Sequence, residues 1–159
     1  MDFFIKGGVL WEAPGNIKEA EIPNTVVAIG DYAFCDCKKL ERIVLPETLR
    51  SLYAGAFYGC KALHRIELPK SLKSIGKFAF YECGLTEIVF PESLKSIEKY
   101  AFAYCNLLTY TRFMGTPVSI GERAFYNTPL VEVAGASNLA HTTIGINAFA
   151  QRLRIRRNR

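Results

Sequence analysis

The stretch SLKSIGKFAFYECGLTEIVFPESLKSIEKYAFAYC, residues 71–105, contains nearly the same segment twice. The letters SLKSI at 71–75 return at 93–97, and an Ala-Phe pair and then a cysteine follow each copy. Ala-Phe pairs recur at 33–34, 56–57, 79–80, 101–102, 124–125 and 148–149, so successive pairs lie 22 to 24 residues apart. A fixed period in the range of about 20–50 residues is typical of stacked repeat units, and it predicts a solenoid.

Each repeat combines two extended segments and a corner. The most regular copies read L-x-x-I-x-L-P-x-S-L-x-x-I-G-x-x-A-F-x-x-C. The first part alternates apolar and polar residues up to a proline, which indicates a short strand with one buried face, because proline lacks the N–H that a ladder needs. The S-L-x-x-I part is predicted to be a second short extended segment. Gly30, Gly76 and Gly121 follow it and are predicted to form tight corners with positive φ.

The Ala-Phe segment completes each coil. Residues 77–83 (KFAFYEC) and 99–105 (KYAFAYC) are each predicted to form one short helical turn. Phenylalanines one coil apart would stack into an aromatic core, each ring burying about 150–250 Å². One unit cannot bury its own apolar face, so stacked neighbours are expected to share a continuous core.

This unit resembles the BspA-type (Treponema-type) leucine-rich repeat, and the resemblance covers residues 17–152. It implies a β-rich α/β fold: a right-handed solenoid of about six 22–24-residue coils, with a parallel sheet on its concave side and one short helical turn per coil. Residues 3–16 (FFIKGGVLWEAPGN) also resemble the β-hairpin that often precedes such repeats. Family members are frequently bacterial or protist surface proteins that bind host or matrix proteins, and the family has no catalytic motif.

The resemblance divides the chain into three parts. Residues 1–16 are predicted to form a capping hairpin, and residues 153–159 a basic C-terminal strand or tail. The six predicted coils are 17–39, 40–62, 63–84, 85–107, 108–129 and 130–152. The pattern loosens over residues 108–145, where the Leu-Pro strand end is missing and Thr128 replaces the cysteine. This region is either a cap, since terminal repeats are often atypical, or a contact site centred on residues 138–143.

The bulk composition fits one folded domain, since half of the 159 residues are apolar and 22% are charged. Residues 133–151 are too polar to cross lipid, so no membrane insertion is expected. The N-terminal segment is not a secretory signal, which predicts a cytoplasmic chain, or a cell-surface one if it is part of a longer exported protein.

The net charge of +5 comes from the C-terminal tail. Five of the 20 basic residues are Arg152, Arg154, Arg156, Arg157 and Arg159, which leaves 15 basic and 15 acidic residues in the body. Nucleic acid is therefore not the expected partner of the body. The tail either binds a polyanion or a nucleic acid, or forms a final strand whose arginines protect an open edge.

No residue pattern predicts catalysis, a metal or a cofactor. Cys37, Cys60, Cys83 and Cys105 occupy one column of the repeat, and sulfurs in a line do not converge on a metal ion or face each other for disulfides. They are expected to be reduced, buried packing, with Cys35 outside the column. His64 and His141 lie near no nucleophile signature. We therefore predict that the protein is not an enzyme.

Two surfaces are candidates for binding a protein. The outward strand positions are Glu19, Arg42, Arg65, Glu87, Tyr110 and Glu132, beside Glu21, Val44, Glu67, Val89, Arg112 and Ala134. These charges either pair across strands or contact a partner. The tyrosine column of Tyr58, Tyr81 and Tyr126 either packs between coils or contributes to an interface, where tyrosine is enriched.

The sequence therefore predicts a monomeric, non-enzymatic scaffold whose protein partner it does not identify. The candidate partner-binding residues are Arg42, Arg65, Glu87, Tyr110, Tyr58, Tyr81 and Tyr126. A third feature is a basic stripe of Arg50, Lys73 and Lys95 beside Ser51, Ser74 and Ser96, which a simple solvated face explains equally well.

Overall fold

Five of the six coils contribute a short parallel strand to each of two ladders, and the third coil contributes to one of them, in the computed structural model, which describes residues 2–149. The result is a β-solenoid of about six turns. It begins with an antiparallel hairpin of β1 (Phe4–Lys6) and β2 (Val9–Glu12), joined by Gly7 and Gly8 with φ of 60° and 75°. The predicted C-terminal strand or tail, residues 153–159, lies outside the described residues.

The first ladder is formed by the segments that end at the proline position. Its strands are β3 (Glu19–Glu21), β5 (Arg42–Val44), β8 (Glu87–Phe90), β10 (Tyr110–Phe113) and β12 (Glu132–Ala134). They pair in register as a two-stranded sheet, β3-β5, and a three-stranded sheet, β12-β10-β8. The third coil, between β5 and β8, contributes no strand to either sheet.

The second ladder is formed by the S-L-x-x-I segments. Its strands are β4 (Ala28–Ile29), β6 (Ser51–Leu52), β7 (Ser74–Ile75), β9 (Ser96–Ile97), β11 (Ser119–Ile120) and β13 (Thr143–Ile144). With the hairpin they form one eight-stranded sheet in the order β1-β2-β4-β6-β7-β9-β11-β13. The predicted second extended segment is confirmed.

The predicted aromatic core is also confirmed. Phe34, Phe57, Phe80, Phe102 and Phe125 are fully buried, and their rings stack with centroids 5.0 to 5.3 Å apart. The leucine and isoleucine columns of both ladders surround this stack in one continuous core.

The predicted helical turn of each coil is not confirmed, and neither is the α/β label. Within residues 2–149 the only helix is a 3₁₀ turn, Ala136–Leu139. In the Ala-Phe segment of the first coil, the N–H of Ala33 donates to Gly30 O and that of Cys35 to Tyr32 O. The intervening N–H of Phe34 instead donates to Ala56 O in the next coil. The segment is a run of β-turns whose alternate N–H groups join neighbouring coils, because an α-helix would direct every N–H along its own axis.

The prediction of positive φ at Gly30, Gly76 and Gly121 is wrong. Positive φ occurs two residues later in the chain, at Tyr32, Phe78 and Arg123. At Gly76 and Gly121 the close approach of the preceding coil requires glycine, whereas Tyr53 and Glu98 occupy the equivalent position in two other coils. A Cβ on Gly76 would lie 2.7 Å from the carbonyl carbon of Tyr53, and one on Gly121 would lie 2.4 Å from the backbone nitrogen of Lys99.

The sequence predicted no membrane insertion, and the structure tests this for its helices. Among residues 2–149, no helix has the length and apolar character required to span a bilayer.

Candidate binding surfaces

The first ladder opens at its third coil. Residues 65–68 run between β5 and β8, but within the described part of the chain their backbone groups make no hydrogen bond to either strand. One nearby link remains, from Thr86 N–H to His64 O at 3.1 Å. The backbone N–H and C=O groups of this segment therefore lack the ladder partners that the equivalent groups of the other coils have, which is unusual inside a ladder.

A groove of about 880 Å³ lies over this opening. Val44, Val89 and Met114 line it, and each is 43 to 44% exposed. The charged residues that line it are Glu41, Arg42, Glu47, Arg65, Glu67, Lys70 and Glu87. The groove thus combines exposed apolar side chains with charges of both signs.

Three of the four ladder residues predicted from sequence line this groove, namely Arg42, Arg65 and Glu87. Tyr110 does not; it is half-buried in β10, between Glu87 and Glu132 in register. Arg65 Nε lies 3.6 Å from Glu87 Oε1, with the two side chains 78% and 48% exposed. So exposed a pair contributes little stability, on the order of 0–1 kcal/mol. A partner can therefore break it at low cost.

Sequence reasoning missed Met114. It occupies the place that proline takes in the earlier coils, where residues 112–115 read RFMG in place of a Leu-Pro strand end. The loss of the proline was visible in the sequence, and it was the available signal that a different side chain reaches the groove.

The tyrosine column forms a continuous band of rings along one side. Tyr58 and Tyr81 stack with centroids 4.9 Å apart, and Tyr81 contacts Tyr104 at 5.3 Å. Tyr126 continues the band through a contact of 5.7 Å with Tyr104. The rings of Tyr58 and Tyr81 therefore pack face to face between coils, and all four rings remain partly exposed. Desolvation raises the pKa of Tyr58 and Tyr81, so their hydroxyls stay neutral at physiological pH.

One further residue of this band, Arg123, was not among the predicted ones. Its Nη1 donates to Tyr100 Oη at 2.6 Å, and its guanidinium lies over the rings of Tyr100 and Tyr126 at 5.8 and 5.7 Å. Glu122 lies 3.4 Å away on the same side. The guanidinium therefore fixes two aromatic residues of neighbouring coils.

The cysteine column is buried packing, as predicted. The thiols of Cys60, Cys83 and Cys105 donate to the carbonyl of the phenylalanine one coil earlier, at 3.1, 2.8 and 2.9 Å. Burial raises the pKa of Cys37 and of Cys105 to about 12. These thiols are therefore protonated at neutral pH and poor nucleophiles.

The remaining candidate groups do not form a chemical site. His64 Nδ1 lies 2.9 Å from Gly84 O and joins two coils, while His141 is exposed. Over residues 2–149, no cluster of three His, Cys, Asp or Glu residues could hold a metal ion. In the irregular region, Asn138 Nδ2 donates to Phe113 O at 3.0 Å and Thr142 Oγ1 to Pro117 O at 2.6 Å. The C-terminal arginines at positions 152–159, which were predicted either to bind a polyanion or a nucleic acid or to protect an open strand edge, lie outside the described residues.

Comparison with known proteins gives a family match. The sequence model of the BspA type leucine rich repeat region matches in six copies, over residues 11–63 and 27–156. No curated protein matches the chain.

Solved structures share the fold. A leucine-rich repeat protein of T. pallidum is 36% identical with a TM-score of 0.73, and the match covers 80% of this chain and 60% of that one. A leucine-rich cell surface protein of Faecalibacterium prausnitzii is 26% identical with a TM-score of 0.61, covering 92% and 49%. The pneumococcal vaccine antigen PcpA, at 20% identity and a TM-score of 0.70, covering 87% and 44%, shows the fold alone. The chain thus spans less than two thirds of the length of each.

Proposed function

The chain belongs to the BspA-type leucine-rich repeat family, and from this premise we propose that it is a non-enzymatic scaffold that binds another protein in the groove of the first ladder. Leucine-rich repeat solenoids present extended surfaces made of the same position in successive coils. The structural relative from F. prausnitzii is described as a cell surface protein. We propose the same setting here, with residues 17–152 as the repeat module behind an N-terminal hairpin.

The single observation that supports the groove is the opening of the ladder at residues 65–68 beneath exposed Val44, Val89 and Met114. Exposed valine and methionine supply apolar area, and methionine adapts its shape to different partners. The unpaired backbone groups supply hydrogen bonds to a partner's main chain, the mode by which sheets capture extended segments. We therefore expect an extended segment of a protein, with an apolar side chain directed to the valines.

The charges around the groove favour a partner segment that itself carries both signs. Arg42 and Arg65 lie on neighbouring coils, and Glu67 and Glu87 lie beside them. Rim charges of this kind influence the association rate and the choice of partner more than the affinity. The tyrosine band, with Tyr58, Tyr81 and Tyr126, is a second contact area in this proposal, because its rings remain partly exposed.

A binding screen with matched variants tests the proposal. Immobilised protein is screened by surface plasmon resonance against a panel of purified surface and matrix proteins, and each binder is measured again with V44E/V89E. Burying two new carboxylates against an apolar partner surface should weaken binding at least tenfold, about 1.4 kcal/mol. Val118→Glu is the control, since Val118 is exposed but lies outside the groove.

Two results would overturn the proposal. One is a panel without any binder. The other is a binder whose affinity for V44E/V89E equals that for wild type and for V118E. Turnover in broad hydrolase or redox assays, lost on substitution of Cys35 or His64, would contradict the non-enzymatic part.

A further inference from the structure

The second ladder carries three cations in a line, away from the groove. Arg50, Lys73 and Lys95 are exposed and occupy the same position of three successive coils. Lys73 N–H donates to Arg50 O and Lys95 N–H to Lys73 O, both at 2.8 Å. These residues are therefore direct neighbours across parallel strands, which lie about 4.8 Å apart. We call this set the cationic stripe.

The stripe lacks an ion-pair partner among residues 2–149. Within the described residues, no carboxylate lies at ion-pair distance from Arg50, Lys73 or Lys95. Elsewhere the same solenoid pairs its cations, as in Lys61–Glu82 and Lys99–Glu122. The first ladder places opposite charges side by side at two points, with Glu19 beside Arg42 and Arg65 beside Glu87. Like charges directly opposite on neighbouring strands are destabilising, so a bound anion would relieve a repulsion that the folded chain leaves uncompensated.

Hydroxyl groups run parallel to the stripe. Ser51, Ser74, Ser96 and Ser119 stand in register one residue further along each strand and are half-buried. Ser74 Oγ donates to Ser51 Oγ at 3.0 Å, which forms the beginning of a hydroxyl row. The row of cations and the row of hydroxyls thus occupy adjacent positions of successive coils.

Two aromatic rings lie at the N-terminal end of the same ladder. Trp11 and Tyr53 are part-exposed and meet edge to face, with centroids 6.4 Å apart. Gly30 makes room for them, because a Cβ there would lie 2.7 Å from the Trp11 ring. Each ring stands three residues further along the chain than the stripe position of its coil, and together they present exposed aromatic surface at this end of the ladder.

We propose that the cationic stripe binds a linear anionic polysaccharide whose sulfate or carboxylate groups follow the three cations. Nucleic acid fits less well for two reasons. The body of the chain is neutral overall, with 15 basic and 15 acidic residues outside the last eight positions, so its net charge does not attract a nucleic acid. The two rings also contact each other at one end, so they do not form the series of stacking platforms that single-stranded bases use.

Heparin, dextran sulfate, neutral dextran and single-stranded DNA of matched charge serve as probes for the full-length chain. Heparin and dextran sulfate should bind, and neutral dextran should not. With three ionic contacts, the logarithm of affinity should fall against the logarithm of salt concentration with a slope of about −2 to −3, by analogy with the value of about −0.7 to −0.9 per contact for nucleic acids.

The decisive variant is Arg50→Gln/Lys73→Gln/Lys95→Gln, which should bind heparin at least tenfold more weakly. Its control, Lys38→Gln/Lys39→Gln/Arg112→Gln, removes the same charge from exposed positions elsewhere and should stay within threefold of wild type. The melting temperature of the stripe variant should equal or exceed that of wild type, since a repulsion is removed.

Three outcomes would overturn the proposal. The stripe variant could bind heparin as wild type does; glutamines at the five C-terminal arginines alone could abolish binding; or the DNA could bind as tightly as heparin. The groove variant V44E/V89E should leave heparin binding unchanged, so failure here and failure of the protein-binding proposal are distinguishable.

Discussion

Thr111 is a fully buried polar residue whose hydroxyl has no hydrogen-bond partner. It occupies the strand column that holds Ala20, Ile43, Ile66, Ile88 and Val133 in the other coils. An unsatisfied buried hydroxyl costs about 1–3 kcal/mol. Thr111→Val should therefore raise the free energy of unfolding by about 1 kcal/mol, as measured by urea denaturation.

Thr128→Val provides the matched control. Thr128 is also buried, but its Oγ1 donates to Phe125 O at 2.8 Å. The same substitution there removes a satisfied bond and should lower the stability by roughly 0.5–1.5 kcal/mol. Equal effects of the two substitutions would contradict this interpretation of the buried hydroxyls.

The buried thiols predict a loss of stability in alkali. Burial raises the pKa of Cys105 from 9.0 to about 12 in the folded protein. Between these two values the unfolded chain has lost the proton and the folded chain keeps it, so stability falls as pH rises. One such thiol contributes a slope of up to about 1.4 kcal/mol per pH unit in that range and none well below pH 9.

Urea denaturation between pH 7 and 10.5 measures this slope. Cys105→Ala should be less stable at pH 7 but should lose less stability than wild type above pH 9. Cys35→Ala is the comparison: Cys35 is only half-buried, and although desolvation raises its pKa too, its substitution should change the slope less than that of Cys105. Parallel curves for wild type and Cys105→Ala would show that this thiol is not protected from ionisation.

At the residue level, the sequence identified the buried columns and misassigned the glycines. The alternation of apolar and polar residues reveals which side chains face the core, because buried positions recur with a fixed period along the chain. It does not reveal φ. Positive φ falls at Tyr32, Phe78 and Tyr100, with values of 54°, 58° and 56°. The turn ladder imposes this conformation on non-glycine residues, although it costs each about 1–2 kcal/mol, so residue type was a poor guide there.

Among the elements, the opening of the first ladder was not predictable. Residues 63–69 (LHRIELP) alternate apolar and polar side chains just as residues 40–46 (LERIVLP) do, but only the second segment contains a strand, β5. Strand pairing depends on the position of the backbone in the neighbouring coils. The alternation of apolar and polar residues within one coil does not determine that position. Arg42, Arg65 and Glu87 were therefore identifiable from the sequence as outward-facing residues, while the groove that they line was not.

This difference is measurable by amide hydrogen exchange. β10 is paired on both sides, by β8 and β12, so all its central N–H groups are bonded. The amides of Ile66 and Leu68 lack such partners. They should exchange at least about 100-fold faster than those of Thr111 and Phe113, since exchange follows local opening. Comparable protection in the two segments would mean that the ladder is closed in solution.

At the scale of the whole molecule, the 22–24-residue period was sufficient to predict a stacked solenoid with a phenylalanine core. The period fixes which residues recur at each coil, and recurrence in turn fixes stacking. It did not distinguish a helical turn from a run of β-turns, because both need the same buried Ala-Phe pair. A helical turn and a run of β-turns differ in which carbonyl groups accept from the backbone N–H groups. The pattern of side chains in the sequence does not indicate those acceptors.

A stacked architecture also makes cooperativity depend on contacts between adjacent coils. Phe80 is fully buried and stacks on Phe57 at 5.3 Å and on Phe102 at 5.0 Å, in the middle of the solenoid. Phe80→Ala should cost about 3–5 kcal/mol and weaken the coupling between the two halves. Trp11, the single tryptophan, reports on the N-terminal end. In urea, the unfolding curves followed by Trp11 fluorescence and by circular dichroism should coincide for wild type and separate for Phe80→Ala, with a lower m-value by circular dichroism.

Phe4→Ala, at an exposed ring, is the control and should leave both unfolding curves coincident. Coincident curves with an unchanged m-value for Phe80→Ala would mean that the coils unfold as one unit even without continuous ring stacking.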